Sequence, residues 1–184
     1  MKTTYAVDPN HTTVGFTAKH MLVTTIHGKF TEWSGEVEVE NGDLSTAVVT
    51  GSIKAASVQS GLDYRDNDLR QHILDVEQHP EITYRSTKIE PQGEGRFRVT
   101  GDLTIAGNTH PITLDAEVAP EFSDVMGYSR IGFSATGNLH RADWNLTWNV
   151  ALEAGRMLVS DDVRLEIDGA FVRKLEEAAS PATA

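Results

Sequence analysis

The sequence predicts an all-β fold, a single antiparallel β-barrel of about eight strands with one or two short helices. Three observations predict it. Apolar residues alternate with polar ones at period two along most of the chain, turn signals separate the alternating runs, and many apolar-face positions carry glycine or alanine. The first two give β-structure with one buried and one solvated face. The third favours a barrel with a lumen over a filled sandwich. Small residues at so many inner positions leave voids in a packed sandwich, whereas in a barrel they leave lumen space or let a strand bend.

The elements follow in chain order. Val14, Phe16, Ala18 and His20 share a face. Gly28 and Phe30 are in one phase, and Trp33, Gly35, Val37 and Val39 in the other, so a bulge or bend is expected near Thr31-Glu32. Ala47, Val49, Gly51, Ile53 and Ala55 form the next inner face. From Asp63 to Asp75 the alternation stops; Leu62, Leu69 and Ile73 recur at helical spacing, which predicts a short helix. Phe97, Val99, Gly101, Leu103 and Ile105 oppose Arg96, Arg98, Thr100, Asp102 and Thr104. Gly107-Asn108 then reads as a tight hairpin turn leading to Ile112, Leu114, Ala116 and Val118. Ile131, Phe133, Ala135, Gly137 and Leu139 come next. His140 to Trp144 is a helical turn or an irregular bend. Val163, Leu165, Ile167, Gly169 and Phe171 close the pattern. One domain over residues 1–173 is expected, followed by a frayed tail over 174–184, rich in alanine and glutamate.

Composition excludes several functions. With 184 residues, 39% hydrophobic and 23% charged, the chain is an ordinary globular one. Its net charge of −11 opposes binding to nucleic acid, which needs a positive footprint. No cysteine is present, so disulfides and thiolate chemistry are ruled out. No apolar run approaches ~18 residues, so no integral membrane segment is expected. Met1 to Tyr5 leads directly into Ala6-Val7-Asp8-Pro9 without an apolar leader, which predicts a cytoplasmic location.

Catalytic signals are weak. His11, His20, His27, His72, His79, His110 and His140 include no pair at helical metal-ligand spacing, so no metal site is predicted. Ser129 lacks the second glycine of a nucleophile elbow. Asp66 with Asp68, or Asp161 with Asp162, could do acid–base work. An ion-pair network with Arg65 and Arg70, and a solvated turn, account for them as well. No catalytic residue and no obligatory cofactor are predicted.

Six blocks, in order, carry a resemblance. They are Asp8-Pro9-Asn10-His11-Thr12 running on to His20; Gly28-Lys29-Phe30 with Trp33-Ser34-Gly35; Arg65-Asp66 with Leu69-Arg70; His79-Pro80-Glu81-Ile82; Gly101-Asp102-Leu103 through Leu114; and Arg141-Ala142-Asp143-Trp144. From Tyr5 to about Arg173 the chain resembles the YceI-like family of lipocalin-like polyisoprenoid-binding proteins. It departs from the family's usual Phe-Phe at Ile73-Leu74 and from its Phe-Gly at Trp144-Asn145, both of which are expected to reshape the cavity mouth. The resemblance implies a lipocalin-like barrel, often a homodimer. Its lumen would take a long isoprenoid chain, such as a quinone tail or a polyprenyl phosphate.

On that reading the barrel stands about 25 Å tall, from strands of ~10 residues. The lumen candidates are Phe16, Phe30, Tyr84, Phe97, Leu103, Leu114, Ile131, Phe133, Leu165 and Phe171, with plain core packing as the alternative for each. Met21, Leu22, Trp144, Trp148, Met157 and Leu158 flank the breaks in alternation and are candidates for the mouth. His20, Arg65, Asp66, Arg70 and Arg141 are candidates for head-group contact, with structural salt bridges as the alternative. Binding, storage or transport of a lipid leads. An interaction or stress protein with an incidental cavity, and an enzyme acting on a prenylated substrate, stay open.

Overall fold

In the computed structural model the described residues are 1–125, 127–151 and 157–173; the tail expected to fray lies outside them. The strands are β1 (Lys2–Val7), β2 (Thr13–His20), β3 (Thr24–Phe30), β4 (Trp33–Glu40), β5 (Asp43–Lys54) and β6 (Val58–Gln59). One helix, α1 (Asp63–Asp68), follows, running into a π-helical turn at Leu69–Ile73. Then come β7 (Glu81–Gly93), β8 (Arg96–Ile105), β9 (Asn108–Val118), β10 (Phe122–Ser123), β11 (Ser129–His140) and β12 (Val159–Arg173). A 3₁₀ turn, Arg141–Trp144, follows β11.

Eight strands close a ring. Their order is β12–β1–β4–β5–β7–β8–β9–β11 and back to β12, every pair antiparallel. The fold class is therefore the closed antiparallel barrel that the sequence predicts. Three walls are longer than one strand. β2 continues β1 along the same edge of β12, β3 pairs with β2, and β6 extends β5 to pair with β3. With β12 at 15 residues, the wall runs about 50 Å along the strand and stands about 40 Å tall at the usual tilt, well over the 25 Å expected. The ten-residue runs that set the lower figure are only part of each wall.

Each compound strand needs one break, and the breaks are tied together. β3 stops at Phe30 and β4 starts at Trp33, so the phase change sits at Thr31-Glu32 as the sequence predicts. Ser57, buried in the 3₁₀ turn between β5 and β6, holds this corner. Its hydroxyl donates to the Lys54 carbonyl at 2.7 Å and accepts the Glu32 N–H at 3.1 Å.

The corner between β1 and β2 is held by charge. Asp8 is buried; it accepts the Asn10 N–H at 2.9 Å and a bond from His11 Nδ1 at 2.8 Å, and pairs with Arg130 on β11. Arg130 Nε also meets Asp124 at 2.6 Å. Burial alone would raise the Asp8 pKa, but the bonds from His11, Arg130 and the Asn10 backbone outweigh it and hold the carboxyl at about 2. A carboxyl lowered on folding adds stability above its unfolded value near 4, and that contribution is lost as pH falls toward 2. In thermal melts between pH 5 and pH 2, wild type should therefore lose more stability than Asp8→Asn. Parallel curves would remove Asp8 from this role.

Two details differ from expectation. The β8–β9 turn is made by Ala106-Gly107, both at positive φ (45° and 74°), so the hairpin turns one residue earlier than Gly107-Asn108. The Asn108 side-chain amide donates back to the Ala106 carbonyl at 2.9 Å instead. The small inward residues also mostly do not open lumen space. A Cβ on Gly28 would lie 2.2 Å from the Phe16 ring, one on Gly137 2.5 Å from Leu114, and one on Gly169 2.2 Å from Thr12. These glycines seat a neighbouring side chain across the sheet. Gly51 alone among the inner glycines named above meets nothing but one backbone oxygen, at 3.6 Å. At Gly101 a Cβ would meet the Arg85 carbonyl at 2.5 Å and the Tyr84 ring at the same distance. Gly101→Ala should cost about 1–3 kcal/mol in denaturant unfolding, since backbone cannot yield as a side chain can. A neutral result would mean that the Arg85 carbonyl yields as well as the Tyr84 ring.

Candidate lumen site

The barrel encloses a cavity of about 350 Å³ with an almost wholly apolar wall. This falls at the lower end of the ~300–1,000 Å³ range of small-molecule sites. Two apolar clusters bound it. One gathers Tyr5, Val37, Val39 and Ile131; the other gathers Ile82, Leu103, Ile112, Leu114 and Leu139 with Trp144 and Leu146. Along β12 the wall residues run from Val159 to Phe171, about 40 Å of strand and about 30 Å of height.

All the lumen candidates stand on this wall: Phe16, Phe30, Tyr84, Phe97, Leu103, Leu114, Ile131, Phe133, Leu165 and Phe171. Alternation on a closed sheet dictates this, because one face of every strand must point inward. Phe16 and Phe30, cross-strand neighbours on β2 and β3, hold their rings 5.8 Å apart; Phe133 and Phe171 stack at 4.2 Å. Ile73 and Leu74, expected to reshape the mouth, line the cavity from the helical segment; sequence reasoning missed Leu69 beside them, and Leu146 and Val159 near Arg141. The helical spacing of Leu69 and Ile73 carried that signal. β3 pairs with β6 only at Lys29 and Phe30, and the segment from α1 to Leu74 supplies cavity wall beyond that pairing.

The mouth and head-group candidates separate sharply. Arg141 alone among them lies on the cavity wall. Arg65 donates to the Ser60 hydroxyl and carbonyl, and buried Asp66 accepts the Ser60 N–H at 2.7 Å. Arg70 donates to the carbonyls of Ala56 and Val58 at 2.8 and 2.7 Å. These three pin α1 and the π-helical turn to the chain just before them. Trp144 is core rather than mouth: it is 2% exposed, and its indole N–H donates to the Leu103 carbonyl at 2.8 Å. The turn it closes ends in Asn145 at φ 57°, a left-handed conformation asparagine tolerates. Trp148 stacks on His72 at 5.5 Å. Met21 and Leu22, both at positive φ in the β2–β3 turn, are exposed. Met21 N–H donates to the Leu158 carbonyl at 2.8 Å, which ties that turn to the chain beside exposed Met157. His20, at the end of β2, is half-buried outside the cavity wall.

Two polar atoms on the wall stand out. The Tyr84 hydroxyl and Arg141 Nε are buried without a hydrogen-bond partner among the described residues. Burial, with a smaller push from the Asp102 charge, raises the Tyr84 phenol to about 12, so it stays protonated. Burial also lowers the Arg141 pKa, partly offset by Asp161. Among the described residues no three histidine or carboxylate side chains converge as metal ligands would. No helix among them is long and apolar enough to cross a membrane.

Known proteins share this architecture. The structure of BcnA from Burkholderia cenocepacia matches with a TM-score of 0.78 at 22% identity, covering 89% of this chain and 98% of its own. A YceI protein of Campylobacter jejuni matches at 0.73 with 29% identity, covering 86% and 90%. A polyisoprenoid-binding domain from Saccharophagus degradans matches at 0.67 with 16% identity, covering 92% and 98%. In sequence, a UPF0312 protein of Vibrio parahaemolyticus is 32% identical over 145 residues, 77% of each chain. One from Staphylococcus aureus is 29% identical over 171 residues, 92% of this chain and 97% of its own. The model of the YceI-like domain matches residues 5–171, and the chain belongs to the YceI-like domain family.

Proposed function

We propose that this protein binds, stores or carries one long apolar chain of the isoprenoid class in the barrel lumen, without catalysing a reaction on it. The observation that carries the reading is the cavity's shape. Its almost wholly apolar wall runs about 30 Å along the barrel, a length that suits one extended chain. Its apolar wall rewards chain length: ten buried CH₂ groups offer about 8 kcal/mol, against at least ~4 kcal/mol for immobilisation. The polyisoprenoid-binding domain of the same fold lends the isoprenoid class its support. Among the described residues the cavity wall carries no carboxylate or histidine, which favours binding over acid–base catalysis. Association into a homodimer belongs to the same reading, and light scattering should then return about twice 20.1 kDa.

Native mass spectrometry and organic extraction of protein purified from its own host test the proposal. A long-chain isoprenoid lipid at up to one per barrel is expected. Gly51→Phe places a ring at an open glycine of the cavity wall and should lose that lipid while the barrel stays folded. Empty wild-type barrels would leave the cavity incidental and the reading wrong.

A further inference from the structure

Arg141 is held by backbone carbonyls, as Arg70 is, but unlike Arg70 it stands on the cavity wall. It is 4% exposed, and it stands on the wall of an apolar cavity beside Leu139, Leu146 and Val159. Nη2 donates to the carbonyls of Leu146 at 2.7 Å and Trp148 at 2.5 Å, and Nη1 makes one long bond to the Ser160 carbonyl at 3.4 Å. Those acceptors are neutral. Among the described residues no carboxylate forms an ion pair with the guanidinium, and Nε has no acceptor. Of the other charged residues buried in the barrel, Asp8 is paired with Arg130, whereas Asp66, away from the cavity wall, is met by the neutral Ser60 N–H and hydroxyl. Asp161 offsets part of the cost of burying this charge without forming an ion pair, and an anion that reaches the guanidinium would remove more of it.

We infer that Arg141 anchors the head group of the bound molecule, and that this head is an oxyanion, a carboxylate or a phosphate monoester on a single long chain. The inference rests on the carrier reading above and narrows it. The carbonyl bonds of Leu146 and Trp148 fix the guanidinium before ligand arrives, so little side-chain freedom is lost on binding. A neutral head, such as a quinone carbonyl, an amide or an alcohol, brings no negative charge to the guanidinium. A charge-assisted bond in a dry site separates the two classes by about tenfold or more in affinity.

The test is a head-group series on one chain length, titrated into delipidated full-length protein: palmitate, hexadecyl phosphate, hexadecanol, palmitamide and methyl palmitate. Palmitate or hexadecyl phosphate should bind about tenfold or more tighter than the neutral three, and whichever does identifies the oxyanion. Arg141→Met should remove that preference, Arg141→Lys should keep part of it, and Arg164→Met, on the outer face in a pair with Glu166, should leave it intact. Neutral heads binding as tightly as the anions would overturn the inference while leaving the carrier reading in place. A preference that survives in Arg141→Met would also overturn it. Failure of every probe to bind would overturn the inference, while the lipid that co-purifies with the protein decides the carrier reading separately. If Arg141→Met does not fold, the wild-type series and Arg141→Lys decide the matter.

Discussion

Phe133→Arg is expected to empty the barrel. Phe133 lies on β11 opposite Gly169 of β12 and Val118 of β9, with its ring stacked on Phe171 at 4.2 Å. A guanidinium there points into an apolar lumen whose wall offers it no carboxylate. It must stay hydrated, and the water it holds occupies the path of the chain. Desolvating it unpaired costs several kcal/mol, so retention of co-purified lipid should fall to background and affinity for a long-chain probe by about 100-fold or more. Stability should fall by about 3 kcal/mol, which for a domain of this size is roughly 10 °C in Tm. Oligomeric state should not change. Phe133→Leu, which keeps an apolar lining, should retain lipid. Native mass spectrometry and calorimetry on the two variants read both effects, and lipid retained in Phe133→Arg would place Phe133 off the ligand's path.

Trp144→Ala should have the largest effect on stability. The indole is 2% exposed in the larger apolar cluster, has the His110 ring at 5.6 Å, and donates to the Leu103 carbonyl at 2.8 Å. Truncation removes a large buried surface and leaves a cavity, at about 4 kcal/mol, with about 1 kcal/mol more for the lost hydrogen bond. A Tm drop of roughly 10–15 °C follows. Trp144→Phe keeps most of the packing and should lose only about 1–2 kcal/mol. A loss below about 1 kcal/mol for Trp144→Ala would show that the 3₁₀ turn is not anchored through this ring.

The strands and their inner face were legible because alternation is a direct record of which side of a strand meets water, whereas closure into a barrel was not in the alternation. Phe97 to Ile105 and Ile131 to Leu139 could be assigned from that alone, as could the phase slip at Thr31-Glu32. The compound strands were not legible. That β2 follows β1 along the same edge of β12 depends on register between residues more than 150 positions apart, as in Thr13 opposite Asp168. The glycines misled for a related reason. Gly28, Gly137 and Gly169 are small because Phe16, Leu114 and Thr12 lie over them from the neighbouring strand or corner, and that cannot be read along one strand. The arginines were indistinguishable in sequence. Arg65 and Arg70 turn back onto carbonyls and hydroxyls near in the chain, whereas Arg141 is left on the cavity wall, and only the closed barrel separates them.

The central claim is that the lumen holds one extended apolar chain, and a chain-length series tests it most directly. Isothermal titration of n-alkyl ligands with a constant head, from about 8 to about 20 carbons, should show affinity rising steeply with each added CH₂. The ceiling is about fourfold per CH₂, the equivalent of ~0.8 kcal/mol, and the rise should stop at the length that fills the cavity. The binding heat capacity should be negative throughout. An affinity that does not change with chain length would mean that the chain is not inside the barrel.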